Sequence, residues 1–181
     1  KTEWEYYDNG QKIREKTWGR YGLRDGLWTE WYENGQKYSE EIYNYGKKVG
    51  LWIWYFESGK RKKEKTYNDG RKDGLWTEWD WNGQKRKEET YKNGFKDGLH
   101  TSWYENGQKK EEVPLKDGKP DGLVTYWYES GEKNSEITYK NGFKDGLHTS
   151  WYENGQKRQE GTHKDGKSDG LVTFWYRNGQ K

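Results

Sequence analysis

A column of glutamates is the first feature of this sequence with the residue type and spacing for chemistry. The glutamates recur about 24 residues apart, at Glu15, Glu40, Glu64, Glu88, Glu112, Glu136 and Glu160. Glycosidases use two carboxyl groups roughly 5–10 Å apart in different environments. A glutamate repeated in one column opposite threonine is better explained as a ladder of cross-strand hydrogen bonds and charges. The sequence therefore predicts no catalytic residues.

Histidine and aspartate are the other residues that raise the question of a metal site. His100 and His148 share a position two repeats apart, and four strand spacings would separate them by about 19 Å, too far for shared ligation. Asp117 and Asp121 each precede a glycine, as in some calcium-binding loops, but the neighbouring lysines oppose cation capture. Turn chemistry explains both aspartates, so the sequence predicts no metal and no cofactor.

Basic residues alternate with aromatic ones, a pattern also found in proteins that bind single-stranded nucleic acid. The chain has 34 Lys and Arg against 31 Asp and Glu, a net charge of only +3. Phosphate backbones are bound mainly through an excess of positive charge, which is small here. No loop of the phosphate-cradling type is present either. Nucleic acid is therefore not a predicted partner.

The composition indicates an ordered protein with an aromatic core. Leu, Ile, Val and Phe together make up about 12% of the 181 residues, too little for an ordinary aliphatic core, but there are 13 Trp and 16 Tyr. A packed aromatic side chain buries roughly 150–250 Å². Alanine is absent, whereas Trp, Tyr and Thr are abundant. Strands are therefore favoured and helices are not.

The sequence carries few signals of cellular location. It has no cysteine, which excludes disulfides and thiolate metal sites. No run approaches the ~20 apolar residues of a membrane-spanning helix, and no signal peptide is recognised. The sequence starts at Lys1 without an initiator Met. We therefore expect a processed product or a fragment of a longer repeat protein.

Glycine punctuates the chain with a period of 24 residues, which predicts tandem repeats. Three series recur: Gly26, Gly50, Gly74, Gly98, Gly122, Gly146 and Gly170; Gly35, Gly59, Gly83, Gly107, Gly131, Gly155 and Gly179; and Gly46, Gly70, Gly94, Gly118, Gly142 and Gly166. We predict a single tandem-repeat domain over 1–181. Its units are 1–25 (atypical, with one inserted residue), 26–49, 50–73, 74–97, 98–121, 122–145, 146–169 and the partial unit 170–181.

The residues that precede these glycines predict hairpins. Asn34-Gly35 and its equivalents are typical of two-residue type I′ turns, and the third series contains further Asn-Gly and Asp-Gly pairs, as at Asp69-Gly70. The additional Asp-Gly at 73–74 and its equivalents suit a glycine bulge. Each repeat should therefore contain two antiparallel strands. The predicted fold is an all-β antiparallel meander of tandem β-hairpins, and a parallel β-solenoid with 24 residues per coil is the alternative.

A two-residue turn at Asn34-Gly35 predicts the register of the first full hairpin. Thr29 would lie opposite Glu40, Leu27 opposite Ile42, and Trp31 opposite position 38. One face would then carry constant Leu, Thr, Trp and Glu columns. The other, more variable face would carry aromatic residues at positions 28 and 32 with basic partners at Lys37, Arg61, Lys85 and Lys109.

The recurring pattern resembles the MORN (membrane occupation and recognition nexus) repeats, in the variant form of bacterial, antitoxin-like proteins. The resemblance rests on GLWTEWYENGQK at 26–37 and GLVTYWYESGEK at 122–133. It implies an elongated, twisted, single-layer antiparallel sheet without catalytic residues. It also implies roles in scaffolding, dimerisation or phospholipid association. A second resemblance, to choline-binding cell-wall repeats, implies aromatic cages for quaternary ammonium groups.

Three functional hypotheses follow from these patterns. The leading one is a non-catalytic scaffold for protein or polymer interaction or for head-to-tail self-assembly through terminal sheet edges. A surface filament outside the cytoplasm is one form that such an assembly would take. The second is an aromatic-cleft module for carbohydrate, choline-like or phospholipid headgroups. Its candidate contacts are Trp28, Tyr32, Trp52, Trp76, Tyr104, Tyr128 and Tyr152. The third is an antitoxin-like partner protein, which only the family resemblance implies.

Overall fold

The computed structural model describes residues 1–181 as 18 β-strands and a single 3₁₀ turn at Arg20–Gly22. Its backbone contacts define two compact units: unit 1 comprises 1–85 and 91–94, and unit 2 comprises 86–90 and 95–181. Strand β9 (Lys85–Lys92) contributes residues to both. Each unit is described by itself below.

Unit 1 is a series of antiparallel hairpins. Its strands are β1 (Thr2–Tyr6), β2 (Lys12–Thr17), β3 (Gly26–Trp31), β4 (Lys37–Asn44), β5 (Lys47–Lys48), β6 (Gly50–Tyr55), β7 (Arg61–Asn68) and β8 (Arg71–Trp79). Each of the longer strands pairs with the next along the chain, and the short β5 pairs with the end of β4.

Unit 2 repeats this arrangement. Its strands are β10 (Phe95–Trp103), β11 (Lys109–Lys116), β12 (Lys119–Pro120), β13 (Gly122–Trp127), β14 (Lys133–Lys140), β15 (Phe143–Trp151), β16 (Lys157–Lys164), β17 (Lys167–Ser168) and β18 (Thr173–Phe174). Every strand pairing recorded in either unit is antiparallel between strands near in sequence. The predicted all-β meander of tandem hairpins is therefore confirmed, and the β-solenoid alternative is wrong.

The turns at Asn34-Gly35 and its equivalents differ from the predicted two-residue type. The Gly35 N–H donates to the Tyr32 carbonyl at 2.9 Å, and the Tyr32 N–H donates to the Gln36 carbonyl at 2.8 Å. Only Gly35 has positive φ, at +81°. This is a type I turn followed by a left-handed glycine. The type I′ prediction was wrong here because the Asn34 side chain accepts the Gln36 N–H and keeps Asn34 itself out of the left-handed region.

The turns of the third glycine series are the ones that match type I′. Asp69 and Gly70 have φ of +46° and +82°, and Asn141 and Gly142 have +51° and +89°. The predicted glycine bulge is also present. Three residues of β8 lie between the partners of Lys65 and Tyr67, and Gly74 lies among them at φ +94°. The prediction of two reversals in each repeat is therefore confirmed.

The strand register follows the prediction except beside the turn at Asn34-Gly35. We call this turn and its equivalents the wide turns, and the type I′ turns of the third glycine series the tight turns. Thr29 lies opposite Glu40 and Leu27 opposite Ile42, as expected. A bulge after Glu30 places Trp31 opposite Lys37 instead of position 38. The same shift turns the Lys37 ammonium onto the glutamate column, so its predicted place on the aromatic face was wrong.

The buried side chains differ between the two units. In unit 1 the core is aromatic, formed by Trp28, Tyr43 and Trp52, against which Trp18, Trp54 and Tyr67 pack. In unit 2 the apolar buried residues are Val124 and Ile137. Threonines of the glutamate-bearing face are buried in both units: Thr29, Thr77, Thr101, Thr125 and Thr149. The expected aromatic core is therefore present in unit 1 and replaced by smaller residues in unit 2.

Candidate functional site

A continuous row of aromatic rings lies on one face of unit 1, and we call it the aromatic ladder. It begins with two tryptophans and then alternates Tyr and Trp: Trp18, Trp28, Tyr43, Trp52, Tyr67, Trp76 and Tyr91. Neighbouring ring centroids are 4.7–5.7 Å apart in tilted or edge-to-face geometry. Each such pair contributes about 0.5–1.5 kcal/mol beyond its buried area. The ladder therefore stabilises unit 1 without aliphatic residues.

The ladder carries its own cations. The Arg24 guanidinium lies 4.2 Å from the centroid of the Trp28 ring and 5.0 Å from that of Tyr43. Lys48 and Lys72 repeat this placement at intervals of 24 residues over the following Trp and Tyr pairs, at 4.3–5.1 Å. The electron-rich ring faces attract these cations. Basic side chains therefore stack over the ladder rings, but they are not the basic partners predicted for the aromatic face. One of those predicted residues, Lys109, lies 5.7 Å from the Trp127 ring centroid.

The three candidate tryptophans are part of the ladder. Trp28, Trp52 and Trp76 are only 2–8% exposed. Their indole N–H groups donate to the carbonyls of Thr17, Ile42 and Thr66 at 2.8–3.0 Å. A ligand would meet the cations above these rings before it met the rings themselves.

The four candidate tyrosines link neighbouring repeats. The hydroxyls of Tyr32, Tyr104, Tyr128 and Tyr152 each donate to the backbone carbonyl 23 residues further along the chain, at 2.8–2.9 Å. Burial raises the pKa of the Tyr32 phenol. The asparagine side chains of the same turns make parallel bonds, as from Asn34 to the Glu57 carbonyl at 3.0 Å. These side chains therefore join the turn of one repeat to the equivalent turn of the next repeat.

Loss of one tyrosine hydroxyl should weaken this link measurably. We expect Tyr104→Phe to lower the free energy of unfolding by about 1 kcal/mol, because the hydrogen bond to the Trp127 carbonyl is lost. Urea unfolding measures the difference. Tyr176→Phe is the matched control, since the Tyr176 side chain is 69% exposed. Equal effects of the two substitutions would contradict a linking role for the Tyr104 hydroxyl.

Histidines occupy ladder positions in unit 2. His100 and His148 stand where unit 1 has tryptophan, and His163 stands where it has tyrosine. The rings of His148 and His163 have centroids 5.7 Å apart. Burial, together with nearby Lys144 and His163, lowers the pKa of His148. The sequence analysis did not predict this pair. The two histidines occupy the neighbouring columns of Trp28 and Tyr43, and this shared position could have revealed it.

His100 has acidic rather than histidine neighbours. Its Nε2 lies 3.2 Å from a Glu111 carboxylate oxygen, and its Nδ1 lies 3.4 Å from one of buried Glu89. The Lys96 ammonium contacts the same Glu89 oxygen at 2.6 Å. No group of three or more His, Asp or Glu side chains in the chain is placed to hold a metal ion.

The predicted glutamate column lies on the opposite face, but its ion pairs join residues of one strand, whereas the prediction was of charges paired across strands. A basic residue three positions earlier pairs with the glutamate at 2.5–3.0 Å in six repeats: Lys12–Glu15, Lys37–Glu40, Arg61–Glu64, Lys109–Glu112, Lys133–Glu136 and Lys157–Glu160. Burial by itself would raise the pKa of Glu40, but hydrogen bonds from Lys37 and Tyr55 lower it. Burial and this bond to Glu40 raise the pKa of Tyr55 to about 12.

Six segments of the chain match the family model described as MORN repeat variant: 24–45, 48–69, 72–93, 96–117, 120–141 and 144–165. The chain belongs to this family. In unit 1 each matched MORN segment begins at a ladder cation, Arg24, Lys48 or Lys72, and it ends within the tight turn. The comparison with curated proteins found no match.

Membership of the MORN repeat variant family bears on the class of function. MORN repeats form scaffolds for interaction, often with proteins or membrane lipids, and the family is generally non-enzymatic. No helix of the chain has the length and apolar character needed to cross a bilayer.

Proposed function

We propose that this MORN protein is a non-catalytic scaffold that binds protein through a row of exposed leucines. One leucine of each repeat lies on the face that carries the glutamate column, and we call this set the leucine row: Leu27, Leu51 and Leu75 in unit 1, and Leu99, Leu123 and Leu147 in unit 2. These side chains are 42–51% exposed, whereas the ladder tryptophans of unit 1 are buried. Apolar surface left in water at every repeat is the observation that carries the proposal.

The strands that pair with the leucine-bearing strands place further side chains beside the leucines in each unit. Leu27 lies opposite Ile42, Leu51 opposite Thr66, and in unit 2 Leu99 lies opposite Pro114. Successive leucines are two strands apart, about 10 Å. A partner that contacts several of them must present apolar groups at the same interval. A second copy of this chain does so, and self-association is therefore the form of the proposal to test first.

Light scattering at several protein concentrations tests self-association through the leucine row. We expect the parent chain to associate as its concentration rises. Replacing Leu27, Leu51 and Leu75 together by Ser should abolish association, because the apolar area of the row in unit 1 is lost. Replacing the same three residues by Ile is the control, since it keeps that area and suits a strand.

Two outcomes would count against this function. One is a parent chain that stays monomeric at every concentration. The other is a serine variant that associates as strongly as the isoleucine control. Circular dichroism of both variants verifies that unit 1 keeps its strands, so that a lost association is assigned to the row and not to unfolding.

A cleft in unit 2 favours the second candidate function, an aromatic-cleft module. It measures about 430 Å³ and is lined by Tyr152, Arg158, Gln159, Phe174, Trp175, Tyr176 and Lys181. Exposed rings beside cations suit carbohydrate or phospholipid headgroups. Tryptophan fluorescence, to which Trp175 contributes, should then shift on titration of the parent chain with polysaccharide or vesicles but not on titration of Trp175→Phe. An unchanged parent spectrum with both ligands would contradict this candidate. Choline-like ligands fit the ladder less well, because Arg24, Lys48 and Lys72 already cover its rings.

The other roles stay predictions from the sequence. They are head-to-tail assembly through terminal edges, a place at a bacterial cell surface, and an antitoxin-like partnership. A toxin gene beside the gene for this chain would support the last of these.

A further inference from the structure

Four half-buried lysines lie on the ladder face of unit 1, and we call them the lysine cluster: Lys48, Lys63, Lys65 and Lys72. Lys63 and Lys65 are two residues apart on β7, so both point to the same face. Lys63 contacts the Glu78 carboxylate at 3.1 Å. Lys48, Lys65 and Lys72 make no ion pair. Three ammonium groups therefore lack a carboxylate partner in direct contact.

Aromatic rings hold these three ammonium groups in place. The Lys65 and Lys72 ammoniums lie 4.4 and 4.3 Å from the centroid of the same Trp76 ring. The Lys48 ammonium lies 4.4 Å from the Trp52 ring centroid. A ring attracts a cation but carries no net charge. The ladder thus orders the lysines without neutralising them, which reduces the entropy that a ligand must overcome to order them.

The charges that face the cluster leave it positive. Burial, and then the charge of Lys63, lowers the pKa of Lys65, while Glu78 acts in the opposite direction. Lys72 and Lys48 add to the repulsion. Glu41 is the other acid near Lys48; burial raises its pKa, and its carboxylate accepts a hydrogen bond from Tyr43 at 2.9 Å. An anion at the cluster would relieve repulsion that the chain itself leaves uncompensated.

A cleft beside the cluster has room for such an anion. It measures about 330 Å³ and is lined by Tyr38, Trp54, Lys62, Lys63 and Lys65. Lys63 and Lys65 therefore belong both to the lysine cluster and to the cleft wall. Lys62 and Lys63 bring two further ammonium groups on flexible stems, which can turn toward a ligand held by Lys65.

We propose that the lysine cluster binds an oligophosphate, a small anion in which two or more phosphate groups are linked. A dense anion can contact several closely spaced ammonium groups at once, and lysine binds phosphate as a point charge. The ladder rings below the cluster are buried, so nucleic-acid bases could not stack on them as they do on exposed aromatic platforms. This site goes beyond the leucine row and does not depend on it.

Titration with sodium tripolyphosphate, followed by the fluorescence of the parent chain and by calorimetry, tests the proposal. We expect saturable binding that weakens as salt is added. The double variant Lys65→Met and Lys72→Met should bind at least about tenfold more weakly, because two charge-assisted contacts are lost. Methionine keeps an unbranched apolar stem over Trp76, and the removed repulsion between the two lysines offsets the lost attraction between the ring and the cations.

A second double variant serves as the matched control. Lys116→Met and Lys140→Met change the net charge equally, but these lysines are exposed in unit 2 and make no ion pair. The control should bind tripolyphosphate within about twofold of the parent, since neither lysine belongs to the cluster or lines the cleft beside it.

Three results would overturn the site. They are no saturable binding by the parent, an equal loss of affinity in the two double variants, and an affinity for an oligothymidylate of matched charge that exceeds the affinity for tripolyphosphate. The last result would indicate stacking of bases and therefore a nucleic-acid ligand.

Discussion

Trp52→Ala is expected to lower the free energy of unfolding by about 3–5 kcal/mol, the usual cost of removing a large buried aromatic side chain. Trp52 is 2% exposed and lies in the middle of the aromatic ladder. Its ring contacts Tyr43 and Tyr67 at centroid distances of 5.0 and 5.1 Å, and its indole N–H donates to the Ile42 carbonyl. The substitution would interrupt the ladder and leave Lys48 with only the Tyr67 ring.

Urea unfolding followed by near-ultraviolet circular dichroism measures this loss. Trp81→Ala is the matched control, because Trp81 lies in a wide turn and is 71% exposed. We expect the control to change the free energy of unfolding by less than about 0.5 kcal/mol, as for most surface substitutions. Similar midpoints for the two variants would show that the buried ladder is not what stabilises unit 1.

Gly98→Ala should lower the free energy of unfolding by about 3 kcal/mol, because it combines backbone strain with overpacking. Gly98 has φ of +117°, a conformation that residues with a Cβ rarely adopt. A Cβ built there would lie 2.9 Å from the Thr90 Cβ. The neighbouring strand would have to move to admit one methyl group.

Gly118→Asn separates the cost of a positive φ from the cost of a steric clash at the Cβ. Gly118 also has positive φ, at +79°, but nothing lies within 4 Å of a Cβ at that position. Asparagine tolerates the left-handed region, so we expect a loss of only about 1 kcal/mol. Thermal unfolding measured by far-ultraviolet circular dichroism compares the two variants. Equal shifts in Tm would mean that the close approach of Thr90 has no energetic consequence.

The hairpin architecture could be predicted because glycine positions report backbone conformation directly. Asp69-Gly70 and Asn141-Gly142 signalled the tight turns, and Asp73-Gly74 signalled the bulge. Asn34-Gly35 was misassigned because the same dipeptide suits two turn types. The bond from the Gly35 N–H to the Tyr32 carbonyl decides between them. That difference of one residue also moved Lys37 to the other face.

The candidate site was harder to predict, because burial on a single-layer sheet depends on neighbouring strands. Trp28 was correctly assigned to the aromatic face. Arg24, four residues earlier in the chain, covers the indole of Trp28. This contact depends on where the turn before Arg24 places its side chain. The lysine cluster unites Lys48, Lys63, Lys65 and Lys72 from three strands. That three of these lysines have no carboxylate partner can be seen only when the position of every nearby carboxylate is known.

The ring spacing of the aromatic ladder also has an optical consequence. Indole and phenol chromophores held 4.7–5.7 Å apart at fixed tilts couple their electronic transitions. Unit 1 should therefore show an exciton couplet, whereas the His148 and Val124 positions of unit 2 interrupt any such coupling. The couplet would act as a built-in spectroscopic reporter, with which the melting of unit 1 can be followed without a label.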